Sequence, residues 1–236
     1  MSTTALSSPT RVDTIGTSLE RFWSTSGIQF ALLCVIAYVI YGHQPQVGAP
    51  ADALVNFYHG ERTRILISAV VSGMAVLYLL WFGAALRTTL AAAGQEGWGA
   101  AATAASAALG AVFLLLISVV AILAYWIAGS GNGTLPSGLN DLVWACTVLS
   151  SFPRAMLIMA GTFGLWRAGL MSNALFGAGV AAIVLVLLGG TTWVSNGLWA
   201  PDGAYARFIS PLIGLVWVLV VSGVLLGRRQ GAHAGW

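Results

Sequence analysis

Residues 101–128 read AATAASAALGAVFLLLISVVAILAYWIA. No charge, proline or histidine interrupts the run, and at about 1.5 Å per residue a helix of this length outreaches the ~30 Å hydrocarbon core of a bilayer. Water is absent at that depth, so every backbone N–H and C=O must be satisfied within the segment, as an α-helix does. The stretch therefore reads as a membrane-spanning helix.

Five more apolar runs flank it, at 30–41 or slightly earlier, 65–86, 142–166, 174–194 and 208–226. Between them lie segments of turn composition: 42–50 with Pro45 and Pro50, 129–141 reading GSGNGTLPSGLND, and 195–207 with Asn196, Gly197, Pro201, Asp202 and Gly203. The expected fold is all-α, a polytopic membrane bundle of six transmembrane helices. It would fill residues 27–227, between an N-terminal tail at 1–26 and a C-terminal tail at 228–236. Small residues at Ala101, Ala104, Ala105, Ala108, Gly110 and Ala111, and at Gly177, Ala178, Ala181 and Ala182, predict faces where helices approach closely. Trp23, Trp98 and Trp166 at one end of the spans, and Tyr41, Trp126, Trp144 and Trp199 at the other, predict interfacial belts.

Composition agrees. Hydrophobic residues make up 58% of the chain and charged residues 7%, against roughly 25% charged in a soluble domain. The basic residues are all arginine and are scattered, so no nucleic-acid surface is expected. Cys34 and Cys146 lie inside apolar runs, where no disulfide framework is expected. Arginine is retained on the cytoplasmic side of short loops. With the amino terminus inside, Arg11, Arg21, Arg87, Arg167, Arg228 and Arg229 face the cytoplasm, against Arg62, Arg64 and Arg207 outside. Both termini are then cytoplasmic, and the location expected is the cell membrane, crossed several times. A small-residue pattern at Val47–Ala49 and 51–53 resembles a signal cleavage site, but an uncleaved first span is the preferred reading, since removal would leave an odd number of spans.

The spans are defined as much by what they lack. All seven carboxylates and His43, His59 and His233 lie in loops or tails. That disfavours haem or metal ligation at depth, a Ser–His dyad, a lysine nucleophile and a carboxylate proton relay. No cofactor and no metal are expected.

One ionisable side chain does fall at depth. Arg154 is placed near the midplane of the fourth run, where a lone guanidinium costs about 2.5–3.5 kcal/mol on insertion scales. Its neighbours read Ser150, Ser151, Phe152, Pro153. Pro153 has no N–H and clashes with the Leu149 carbonyl, so a kink is predicted, with backbone oxygens freed near the guanidinium and a serine capping a second half-helix. Arg154, Ser150, Ser151, Pro153 and Tyr78 are the candidate ligand-binding residues, for an anionic or amphipathic small molecule or lipid. The competing reading starts the fourth span later, near Phe152, and lets Arg154 snorkel at a boundary.

A second constellation lies at 50–64, PADALVNFYHGERTR. Leu54, Val55 and Tyr58 recur at helical spacing, predicting an amphipathic arm on the membrane surface. Asp52, His59, Glu61, Arg62 and Arg64 form its polar cluster. His59 with Asp52 or Glu61 would make an acid–base pair, and Glu61 would be the best partner for Arg154 should the arm fold inward.

Phe57, Tyr58, Arg62, Arg64 and Ile65, the run Trp81 to Arg87, and Phe152 to Ala155 resemble a group of multi-span membrane proteins of unknown function found in high-GC bacteria. The likeness covers most of residues 50–226 and implies six helices without implying a reaction. Three functions follow from the inventory. First is a structural or interaction subunit of a membrane assembly, partnered by the bilayer and other membrane subunits. Second is a carrier or binder of an anionic amphipath through Arg154. An enzyme built on the outer His and carboxylates comes last.

Overall fold

The computed structural model describes residues 25–129 and 134–233, the last six of these by backbone alone. The expected tails, Trp23, Arg11, Arg21 and the side chains of Arg228 and Arg229 lie outside what is described. Among the described residues seven helical bodies are present, rather than six. They are α1 (Ser26–Tyr41), α2 (Ala51–Tyr58), α3 (Arg62–Ala92), α4 (Glu96–Ile127), α5 (Thr134–Arg167), α6 (Asn173–Gly189) and α7, a π turn Tyr205–Ile209 running into Ser210–His233. The added body is the short arm α2. Four helices, namely α3, α4, α5 and α7, are long and apolar enough to cross a membrane, while α1 has 16 residues and α6 has 17.

Local chemistry sets the ends. Gly94 (φ 73°) and Gly169 (φ 69°) close α3 and α5, each in the left-handed conformation that lets the next residue bond back into the last turn. Gln95 N–H donates to the Leu90 carbonyl and Leu170 N–H to the Leu165 carbonyl, both at about 2.8–2.9 Å. Ser172 opens α6, its hydroxyl accepting from Leu175 N–H at 3.3 Å.

Six of the helices form a closed ring in the order α1, α3, α4, α5, α6, α7 and back to α1. Chain direction alternates around it, so the termini of α1 and α7 that adjoin the tails lie at one end and α2 at the other. The core at the ring's centre includes Leu79, Phe82, Leu86, Leu157, Ile158 and Trp217. Trp217 packs edge-on to Phe82 and donates to the Thr162 hydroxyl at 3.0 Å. The outward surface is apolar: Val39, Val70, Leu77, Val184 and Leu212 are each more than half exposed. A bundle with a packed centre and an oily exterior is built for lipid.

Which small residues make the close contacts differs from expectation. In α4 the inward stripe is Ala102, Ala105, Ser106, Leu109 and Gly110, whereas Ala104, Ala108 and Ala111 face out. In α6, Gly177, Ala178 and Ala181 are exposed, and the tight approaches are Gly179 onto Thr162 and Gly189 onto Ser151 and Ser210. A run of small residues offers several helical stripes, and neighbouring helices select among them. Trp144 is likewise no belt residue, since it is 3% exposed and its indole donates to the Pro45 carbonyl at 2.9 Å.

The α2 end is tied by a buried polar network. Asn140, fully buried, accepts from Tyr58 Oη at 2.9 Å and Gln44 Nε2 at 3.3 Å, and donates to the Gln46 carbonyl at 3.1 Å. Burial pushes the Tyr58 phenol up to about 12, so it remains a donor at physiological pH. Two carboxylates cap the 42–50 loop from outside: Asp202 accepts from Val47 N–H and Asp141 from Gly48 N–H. Asn140→Leu strips two buried groups, the Tyr58 hydroxyl and the Gln44 amide, of their partner, each costing about 1–3 kcal/mol if left unpaired. The expected outcome is rapid amide exchange across 42–50, measurable by hydrogen–deuterium exchange, with little change in α6.

Candidate functional site: an arginine in an apolar cavity

Helix α5 is interrupted where proline predicts it. The hydrogen-bond ladder breaks at Ser150, between Thr134–Leu149 and Ser151–Arg167, because Pro153 offers the Leu149 carbonyl no N–H. Ser150 keeps helical angles (φ −60°, ψ −15°) and its side chain caps nothing. Arg154 N–H still donates to the Ser150 carbonyl at 3.2 Å. The expected free half-helix N-terminus is therefore absent, and no anion site is built from one.

What the interruption does provide is an alignment of hydroxyls. Side chains of an α-helix lean toward its N-terminus, so the Arg154 guanidinium is drawn back one turn toward the α2 end. There Nη2 donates to Ser150 Oγ at 2.8 Å and Nη1 to Ser210 Oγ of α7 at 3.1 Å. The Ser150 hydroxyl donates its own hydrogen bond to the Thr147 carbonyl at 2.6 Å. Serine hydroxyls answer the guanidinium where freed backbone carbonyls were expected, since Leu149 lies on the exposed side of the helix. Arg154 is only 7% exposed, so it does not snorkel. Gly214 makes room for it: a Cβ there would stand 2.7 Å from Arg154 Cδ.

Beside this arginine is a cavity of about 320 Å³ whose walls are apolar apart from a few groups. Arg154 and Arg207 both line it, together with Cys34 and Tyr38 from α1 and Phe208, Leu212 and Trp217 from α7. Among the described residues no carboxylate does. Arg207 occupies the rim at the α2 end. Its Nε lies 3.4 Å from Tyr38 Oη, its Nη1 3.3 Å from His43 Nε2, and its guanidinium over the Trp144 and Phe208 rings. A second cavity of about 260 Å³ shares Phe30, Cys34, Tyr38 and Phe113 with the first and ends at Tyr41, Gln44 and Thr147.

The other candidate residues go elsewhere. Ser151 is buried against Gly189 of α6, Pro153 is half-buried, and Tyr78 packs edge-on to Trp81 outside both cavities. On the arm, Asp52, His59 and Glu61 are exposed. Glu61 pairs with Arg64 at 3.5 Å rather than with Arg154, Arg62 stacks over Tyr125, and the His59 ring lies against Gly129. Among the described residues no group of three His, Cys, Asp or Glu side chains is placed to hold a metal.

Sequence reasoning missed Ser210, Arg207, Cys34, Tyr38 and Gly214. The one available signal was the repeated pattern of serine just before proline, Ser210–Pro211 echoing Ser151 to Pro153. Cavity membership itself depends on which helices are neighbours. Comparison of the chain with protein-family models, curated proteins and solved structures gave no match.

Proposed function

We propose that this chain is a six-crossing membrane protein that holds the anionic head of an amphipathic molecule against Arg154. The observation carrying the proposal is a buried guanidinium lining an apolar cavity with a second arginine at its rim and, among the described residues, no carboxylate in the lining. Two serine hydroxyls take two of its donors, and a hydrogen bond between membrane helices is worth about 0.6 kcal/mol on average. Desolvating the charge costs about 2.5–3.5 kcal/mol. Hydroxyls bring no negative charge, whereas a carboxylate or phosphate brings both acceptors and the missing charge. The apolar walls suit the rest of an amphipath. These features put a binder or carrier ahead of a structural subunit of a larger assembly, which has no use for an uncompensated arginine in a cavity.

Short helices α1 and α6, at about 24–26 Å, complete the six crossings by thinning the bilayer locally. The end carrying Arg87 and Arg167 faces the cytoplasm with both tails, by the arginine distribution of the whole sequence. A bacterial plasma membrane is the corresponding location, as in the multi-span group the chain resembles.

Native mass spectrometry of protein released from nanodiscs of mixed phosphatidylglycerol and phosphatidylcholine tests the reading. Phosphatidylglycerol should be retained selectively, and Arg154→Gln should abolish the selectivity while the protein stays folded. Ser210→Ala, removing one contact of about 0.6 kcal/mol, should weaken retention about threefold. Equal retention of both lipids by the unaltered protein would defeat the proposal.

A further inference from the structure

Resting on the anion-binding reading, we infer that the Arg154 cavity is loaded sideways from the bilayer, by an anionic lipid passing between α1 and α7. The lips of the cavity carry the argument. Val35 and Tyr38 on α1 are 53% and 44% exposed, and Phe208 and Leu212 on α7 are 45% and 59% exposed, yet all four also line the cavity. The mouth therefore opens through the outer wall of the ring, where the surroundings are acyl chains. An apolar mouth leading to a buried cation matches a molecule whose tail stays in lipid while its head moves inward.

Topology makes this seam the one able to part. Around the ring, each other neighbouring pair is joined in sequence by a loop or by the arm α2, whereas α1 and α7 meet only as the first and last members. Opening the seam stretches no connection. At the α2 end the seam is fastened by side chains: Arg207 bonds Tyr38 Oη, and the Tyr38 ring stands edge-on to Phe208 with centroids 6.0 Å apart. Below this latch the lips are aliphatic. A lipid head at the membrane surface meets Arg207 first, which exchanges a weak phenol contact for a charged one, and the released Tyr38 frees the way to Arg154. At the α2 end the buried network of Gln44, Asn140 and Trp144 ties the loop 42–50 to α5.

The test uses the full chain in nanodiscs with phosphatidylglycerol carrying a diazirine midway along one chain. Illumination should label peptides containing Leu157 and Ile158, buried side chains of the cavity wall, as well as Val70 and Val184 on the outer surface. Leu212→Trp narrows the mouth and should remove the inner labels while leaving the outer ones. Val35→Trp, on the opposite lip, repeats the test should the first variant fail to fold, and the outer labels report folding in both. Soluble glycerophosphate should not compete. If inner labelling survives both tryptophans or yields to glycerophosphate, entry is from water and the inference falls, with anion binding untouched. If a phosphatidylcholine probe labels the inner sites equally well, and tryptophan still blocks it, the portal stands and the anion-binding reading fails.

Discussion

Arg154→Met is expected to make the protein more stable and to remove its hold on anionic lipid. Methionine matches the aliphatic reach of arginine without its charge, so the substitution cancels a burial cost of about 2.5–3.5 kcal/mol and forfeits one hydrogen bond to α7 at Ser210 and one within α5 at Ser150, about 0.6 kcal/mol each. The net expectation in neutral lipid is a gain of about 1–2 kcal/mol. Ser150 keeps its bond to the Thr147 carbonyl, so its hydroxyl is not orphaned. Thermal unfolding followed in phosphatidylcholine nanodiscs, with lipid retention measured in parallel, checks both halves. A lower midpoint for Arg154→Met would mean that the guanidinium is a structural strut, and the binding argument would lose its basis. A residue that costs stability and is nonetheless present at the wall of a cavity is the pattern expected of function.

Gly161→Val should be the most damaging small change in the bundle. A Cβ at that position would lie 2.6 Å from the Trp217 ring and 3.2 Å from Leu86. The indole cannot step aside, because Phe82 stands edge-on to it and Thr162 holds its N–H. Overpacking of this kind costs about 1–3 kcal/mol, and here α5 and α7 must separate to relieve it. That movement also disturbs the Arg154–Ser210 contact, which bridges the same two helices. Gly177→Val is the control: beyond the adjoining backbone of its own helix, nothing lies within 4 Å of its Cβ position, and the same substitution there should be nearly neutral. Detergent-resistance or thermal scans of the two variants, with lipid retention, make the comparison. Similar losses at both positions would contradict the ring packing.

Legibility in the sequence divides along a physical line. The apolar runs, the loops between them and the interruption of α5 at Pro153 follow from chain length against bilayer thickness and from a missing N–H, which are properties of each segment alone. The arm at 51–58 was readable from its helical periodicity for the same reason. Arg154 stood out because one charge in an apolar run is visible without coordinates. What failed were statements about partners. The carbonyl expected to answer Arg154 belongs to the wrong side of its helix, and the hydroxyl that does so, Ser210, is supplied by a helix more than fifty positions away. Similarly, Ala104 and Gly177 have the composition of packing residues and face outward, since every stripe of a small-residue helix looks alike until a neighbour chooses one.

The amino-acid sequence by itself determined that this chain is helical, built for lipid and nearly devoid of buried charge, because backbone satisfaction and hydrophobicity act residue by residue. Tertiary structure alone decided that six helices close into a ring, that the ring leaves an unlinked seam between α1 and α7, and that Arg154 and Arg207 share one cavity with no carboxylate among the described residues of its walls. Those facts arise from which surfaces meet, and meeting depends on shape complementarity between segments far apart along the chain.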